Sequence, residues 1–312
     1  MRISVTDRCN LRCRYCMPRG IERLPMEEIL SYEEIACVCT QAAALGIDRF
    51  RITGGEPLVR KDCASLVSML KRIPEVRQVA LTTNGVLLAD YLGELLEVGL
   101  DAVNISLDTT DREQYRAITG MDELERVMMS VRLAAGKLPV KINCVVQRGV
   151  NEDAPVPLAA LARDLPVDVR FIELMPIGAA KEMQTVPNAE VLGMIEKRFG
   201  GTEEDPGPRG SGPAVYRHLK GFSGRIGFIS AVHGKFCGTC NRLRLTSTGE
   251  LKPCLCYGDT VPLREILRDG AEGKETRIRE KIMEAVRRKP AAHCFEIPAG
   301  ITENREMAKI GG

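Results

Sequence analysis

The stretch DRFRITGGEPLVRKDCASLVSMLKRIP, residues 48–74, holds one whole structural unit. Residues 48–53 read as a strand, Gly54-Gly55 break it, and residues 61–72 read as a helix that Pro74 closes. The same order recurs on both sides. Before it, residues 2–6 (RISVT) form a short strand pattern and residues 31–45 a helical one, with Ser31 as N-cap, Glu34 completing a capping box and Gly46 as the stop. After it come strand 77–82 with helix 87–98, strand 101–106 with helix 122–136, strand 139–145 with helix 155–164, and strand 167–174. Six β/α units in succession imply parallel strands with right-handed crossovers. Six is short of the eight that close a TIM barrel, so the expected fold is α/β, an open, partial (β/α)6 TIM-like barrel.

The 312 residues and 34.3 kDa suffice for a large domain plus a smaller one. Charged residues at 28% and hydrophobic ones at 44% are ordinary for a soluble globular protein. A formal charge of +2 gives no reason to expect nucleic acid or an anionic membrane as partner. No apolar run approaches the ~20 residues of a membrane span, and MRISVTDRCN has no signal-peptide pattern, so the expected compartment is cytoplasmic, with reduced thiols.

In barrels of this kind the active site gathers where the βα loops meet, at the C-terminal ends of the strands. CNLRCRYC (9–16) follows the first strand, GGEP (54–57) the second, TTNG (82–85) the third and SLD (106–108) the fourth, and Met175 ends the sixth. Cys9, Cys13 and Cys16 stand as C-x-x-x-C-x-x-C. Structural zinc wants four ligands. Three thiols therefore either borrow a remote fourth or hold an iron–sulfur cube with one iron open to chemistry.

The composition changes after residue 176. FGGTEEDPGPRGSGPAVY (199–216) reads as a loop or linker, and the expected division is a barrel over 1–176 and a smaller domain over 177–312. There FCGTCNRLRLTSTGELKPCLC (236–256) places Cys237 and Cys240 as C-x-x-C, followed by Cys254 and Cys256. Two close pairs also suit a zinc ribbon, and spacing alone leaves that reading open. Arg242 and Arg244 alternate on one face of the strand-like NRLRL; a structural zinc has no need of them, while a solvated charged face would also explain them. Of the other cysteines, Cys37 and Cys39 in an Ala-rich helix and Cys144 in an apolar strand read as small buried hydrophobes; Cys63 and Cys294 are scattered.

The first cysteine loop, with aromatic Tyr15 before its third cysteine and a β/α series behind it, resembles the radical S-adenosylmethionine (SAM) superfamily. MRISVTDRCN, RITGGEPL, TTNG, NISLD, VKINCVV, FIELMPIG, FCGTCNRLRLTSTGELKPCL and the terminal IGG carry the resemblance from residue 2 to 312, to the family that cyclises GTP in molybdenum cofactor biosynthesis. Its members usually carry a stretch before the first strand, which here starts at residue 2.

The resemblance implies two [4Fe-4S] clusters. The first, on Cys9, Cys13 and Cys16, would bind and cleave SAM. The second, on Cys237, Cys240 and Cys254 in the C-terminal domain, would grip the guanine, with Cys256 outside the ligand set as a buried thiol. SAM contacts fall on Tyr15, Gly55, Ser106 and Met175. GTP contacts fall on Arg2, Arg51, Thr82, Lys141, Arg242, Leu243 and Arg244. Catalytic roles are implied for Arg242 and Arg244, and for Gly311 and Gly312 as a thin finger entering the site. Neither G-x-x-x-x-G-K-[ST] nor a strand-linked G-x-G-x-x-G occurs, so a triphosphate would need side-chain cations gathered at the barrel mouth. The implied partners are an electron donor of flavodoxin or ferredoxin type and a downstream cyclic pyranopterin monophosphate synthase; members are often homodimers. The rival readings are a peptide-modifying radical SAM maturase with an auxiliary cluster and a non-catalytic zinc scaffold.

Overall fold

The structure is a computed structural model that describes residues 1–18, 24–207, 210 and 212–311. The β/α alternation runs β1 (Arg2–Ser4), α1 (Tyr32–Ala44), β2 (Arg49–Thr53), α2 (Cys63–Lys71), β3 (Gln78–Thr83), α3 (Leu88–Glu97), β4 (Ala102–Ser106), α4 (Arg112–Thr119), α5 (Leu124–Ala134), β5 (Val140–Val146), α6 (Pro155–Asp164) and β6 (Val167–Glu173). β1 to β6 lie side by side in chain order and are all parallel. The period-2 pattern decides the faces. On β5, Val140, Ile142, Cys144 and Val146 are buried in the main apolar core with residues of the outer helices, whereas Lys141, Asn143 and Val145 take the other face, towards the lumen.

The later elements are α7 (Asn188–Phe199), β7 (Glu203–Asp205), β8 (Val215–His218), β9 (Ile226–Ile229), β10 (Arg244–Leu245), β11 (Glu250–Lys252), β12 (Val261–Pro262), α8 (Arg264–Arg268) and α9 (Lys274–Arg287). They extend the same sheet at both ends. β9 adds parallel to β6, and antiparallel β8 and β7 follow; β10 adds parallel to β1, and antiparallel β11 and β12 follow. The sheet is open, with β12 and β7 at its edges. Two features differ from the sequence reading. Helix α4 was not anticipated, although Asp111 caps it by accepting from Gln114 N at 2.7 Å. NRLRL contributes only Arg244–Leu245 as strand, too short a run for periodicity to mark.

The expected capping box on α1 is present: Glu34 N donates to Ser31 Oγ at 3.1 Å, and Ser31 N donates to Glu34 Oε2 at 2.7 Å. Ser31→Ala should therefore lower stability by about 1 kcal/mol. Urea denaturation checks it, with Ser31→Thr expected to retain most of the difference.

Candidate active site

Strand register sets the electrostatics of the lumen. Arg2 on β1 pairs directly with Arg244 of β10 on one side and with Arg51 of β2 on the other. Neighbouring strands are about 4.8 Å apart, so three guanidiniums start from one row. Arg2 and Arg51 line a cavity of about 510 Å³ together with Arg242, Arg170 of β6, Asp48, Arg49, Gln78 and Asn143. Arg170 is oriented by two amides: its Nε donates to Asn143 Oδ1 at 2.8 Å and its Nη2 to Asn104 Oδ1 at 2.9 Å.

Burial, then the other arginines, holds Arg2 well below its ordinary pKa; burial and its arginine neighbours lower Arg51 to about 10, and burial with Arg242 lowers Arg244 to about 9. The charge neighbours of Arg51, Arg242 and Arg244 are other arginines, Tyr216 and cysteine thiols, with no carboxylate among them. Arg242 Nη2 and Arg244 Nε and Nη2 are buried without a hydrogen-bond partner. Buried charged donors left unsatisfied are costly, and a polyanion is the group that relieves them.

A second cavity, of about 230 Å³, adjoins the first and shares Arg2, Arg51, Asn143, Ile172, Ile229 and Arg242 with it. Its walls carry Cys9, Cys13 and Cys16 together with Tyr15, Gly55, Thr82, Ser106, Met175 and Arg244. The cations thus reach from the cysteine mouth down towards the strand starts at Arg49 and Gln78, deeper than the mouth alone. In a closed eightfold barrel, layers of side chains fill that space; this sheet stays open and leaves it hollow.

Three devices fix the cysteine loop. A Cβ on Gly55 would stand 2.3 Å from Arg8 O and one on Gly54 2.7 Å from Thr6 O, so only glycine lets the loop pass. Gly55 N donates to Thr6 O and Glu56 N to Arg8 O, each at 2.7 Å. The end of α4 accepts from the loop, Arg12 N to Thr119 O at 2.8 Å and Arg14 N to Ile118 O at 3.0 Å. Tyr15 donates its hydroxyl to Asp108 Oδ2 at 2.8 Å, and Val145 N holds the other oxygen. Burial pushes Asp108 up to about 6.

Burial also raises the three thiols, Cys16 to about 12, so thiolates form there only against added positive charge such as iron. Among the described residues no three His, Cys, Asp or Glu side chains converge on a point where one ion could sit. Cys9, Cys13 and Cys16 all line this one cavity, and three thiols there would suit three corners of a cluster.

Cys237, Cys240 and Cys254 are not cavity walls, but Phe236, Arg242 and Leu255 beside them are. All three thiols act electrostatically on Arg242, whose guanidinium lies 4.5 Å over the Phe236 ring. Burial would raise Cys240, yet the Arg242 backbone and guanidinium, with Lys289, bring it below the ordinary thiol value. Lys289 Nζ also donates to Arg242 O and Pro253 O, tying the cysteine segment together. These groups would suit a second cluster: three thiols, Cys240 among them biased towards thiolate, beside cations that would offset the charge.

The C-terminal segment is anchored by a buried ion pair between Lys252 and Glu303 and by Arg305 on Glu303 and Glu250. Met307 reaches the cavity wall, Ile310 is fully buried, and Gly311 has φ +77° where an added Cβ would stand 3.2 Å from Ser4 Cβ. Gly312 lies outside the described residues. Of the expected GTP residues, Lys141 shares the lumen face of β5 with Asn143 and faces the Tyr216 ring at 5.6 Å. Leu243 is buried off the cavity and contributes its backbone oxygen to Arg2 N at 2.8 Å. The sequence reading did not single out Arg170, Asn143 or Asp108. The signal for Arg170 was there: one arginine inside the otherwise buried strand VDVRFIE.

Residues 3–162 match the Radical SAM superfamily and residues 167–295 match Molybdenum Cofactor Synthesis C. The chain is 45% identical over 317 residues to the GTP 3′,8-cyclase of Moorella thermoacetica and 46% identical over 318 residues to that of Pelotomaculum thermopropionicum, covering 100% of this chain and 97% of each relative. Among solved structures it resembles in fold Streptococcus suis SuiB bound to S-adenosylmethionine (TM-score 0.62, 14% identity, 89% of this chain and 67% of that one) and anSMEcpe with bound AdoMet (TM-score 0.58, 16% identity, 89% and 82%).

The close approach at Gly55 makes the first loop sensitive to one methyl group. Gly55→Ala should displace the Thr6–Arg8 backbone and lower the iron held after anaerobic reconstitution, with near-native far-UV circular dichroism; undiminished iron would show that the loop tolerates the side chain.

Proposed function

This chain belongs to the GTP 3′,8-cyclase family of the radical SAM superfamily, and from that premise we propose how its residues divide the work. The family's reaction converts GTP to 3′,8-cyclo-7,8-dihydro-GTP in molybdenum cofactor biosynthesis. Cys9, Cys13 and Cys16 would hold a [4Fe-4S] cluster, which when bound would supply the electron for reductive cleavage of SAM, and hydrogen abstraction from C3′ of GTP would let C3′ close on C8.

The protein's share is placement. Tyr15, Gly55, Ser106 and Met175 line the cysteine end of the chamber and hold SAM there. Arg2, Arg51, Arg170 and Lys141, with Thr82 beside them, take the triphosphate at the far end, each charge-assisted contact contributing about 1.5–3 kcal/mol. Cys237, Cys240 and Cys254 would hold a second [4Fe-4S] cluster, which would offer an open iron to the guanine beside Arg242, Leu243 and Arg244. The two arginines hold the negative charge that develops as the cyclised radical is quenched. Gly311 and Gly312 slide between the ligands because they carry no side chain. Residues 1–176 make the radical and residues 177–312 present the base. Pinning both ring carbons in one chamber lets closure outrun escape.

The observation that carries this reading is the pair of adjoining cavities, one lined by three thiols and the other by buried arginines, with Asp48 beside Arg49 on the arginine wall and no carboxylate among the charge neighbours of Arg51, Arg242 and Arg244. Among the described residues no helix is long and apolar enough to cross a membrane; we place the enzyme in the cytoplasm, fed by a flavodoxin- or ferredoxin-type donor, passing its product to a cyclic pyranopterin monophosphate synthase, and working as a homodimer.

Anaerobic reconstitution should give a brown protein with about eight irons per chain; about four would remove the second cluster. Incubation with SAM, a reductant and each nucleoside triphosphate in turn should give 5′-deoxyadenosine stimulated by GTP. Equal stimulation by all of them would sink the substrate assignment. Arg170→Ala should raise KM for GTP about 10- to 150-fold with little change in iron. Deleting Gly311 and Gly312 should abolish cyclisation while iron content holds.

A further inference from the structure

Cys256 belongs to the second cysteine motif and has no place in its ligand set, yet the fold gives it a partner. Its Sγ lies 3.4 Å from Sγ of Cys294, a residue 38 positions away in the chain, and Cys294 N donates to Cys256 Sγ at 3.4 Å. Cys256 is fully buried among Ile177, Leu255, Phe295 and Ile310, whereas Cys294 is partly exposed. Gly300 makes room for this arrangement, since a Cβ there would stand 2.9 Å from Cys294 Sγ. A disulfide needs about 2.05 Å between sulfurs, so closing this pair takes a combined sulfur movement of about 1.4 Å. The other described cysteines outside the two ligand groups, Cys37, Cys39, Cys63 and Cys144, have no second thiol recorded at such a distance.

We propose that Cys256 and Cys294 form a reversible disulfide, a modification site for low-molecular-weight disulfides that staples the C-terminal segment to the second cysteine segment. The chemistry is thiol–disulfide exchange. Cys294 sulfur attacks one sulfur of RSSR, forming Cys294–S–SR and releasing the first RSH. Cys256 sulfur then attacks Cys294 sulfur, and the second RSH leaves with the remaining proton. Two thiols are oxidised by two electrons and one RSSR is reduced to two RSH. The entry point is the exposed member, and the buried member resolves. The segment so stapled runs on through Met307, on the cavity wall, to buried Ile310, so the bond fixes the base of the terminal finger while leaving its tip untouched.

The test uses the full-length, reconstituted chain under anaerobic conditions, treated with glutathione disulfide, alkylated and digested without reductant. Mass spectrometry should find the peptides of Cys256 and Cys294 joined with the loss of two hydrogens, and dithiothreitol should reverse the link. Cys256→Ser should instead accumulate a glutathione adduct on Cys294, and Cys294→Ser should leave Cys256 unmodified. Iron content should match the unmodified protein in both variants. Absence of the 256–294 link while other cysteines react would overturn the proposal. So would a loss of iron in Cys256→Ser matching that in Cys254→Ser, which would make Cys256 a ligand. The link forms whether or not Cys237, Cys240 and Cys254 carry a cluster, so its failure and that of the second cluster are read separately.

Discussion

Everything in the lumen answers to one row of like charges. Strand register puts Arg244, Arg2 and Arg51 opposite one another, and burial multiplies the repulsion that solvent would have screened. A core selected for stability alone would have filled these positions with branched aliphatics, as closed barrels do. This one leaves them charged and buried on cavity walls, with Arg170 beside them aimed by two amides. The fold therefore carries a standing electrostatic debt that only a bound polyanion discharges, and a protein gives up stability in this way where ligand binding demands it.

The cysteine mouth is built by the opposite principle, over-determination. Backbone atoms of Thr6 and Arg8 lock against Gly54 and Gly55, the end of α4 grips Arg12 and Arg14, and Tyr15 is tied through Asp108 to β5. The contacts come from the loop after β2, from the β4/α4 unit and, through Asp108, from β5, so the loop is positioned by several strands at once. Local sequence within the loop has little to do with it: among the three cysteines, regular structure is a single turn closed by Cys16 N and Met17 N on Cys13 O.

Much of this was legible in the letters. The six β/α units, the capping box at Ser31 and Glu34 and the loops bearing GGEP and CNLRCRYC follow from local periodicity and turn chemistry, which act over a few residues. What was not legible depends on distance. No pattern within β1 says that Arg2 will face Arg244, because register is settled by packing across more than 240 positions. Helix α4 hid because its buried residues, Tyr115, Ile118 and Thr119, are few and its remainder polar. Strands β10 to β12 have two or three residues each, below any period that can be counted. Arg170 went unmarked because nothing within its own strand shows that Asn104 and Asn143, on two other strands, aim it.

The pairing of β1 with β10 bears on how the chain comes off the ribosome. β1 has three residues and needs neighbours on both sides, and one of them, Arg244–Leu245, is translated near the end. At synthesis rates of about 5–20 residues per second, the nascent first strand waits for tens of seconds with one flank bare. Contacts of such long sequence separation form late and slowly. For that interval the nascent first cysteine loop stands on a strand whose second neighbour does not yet exist.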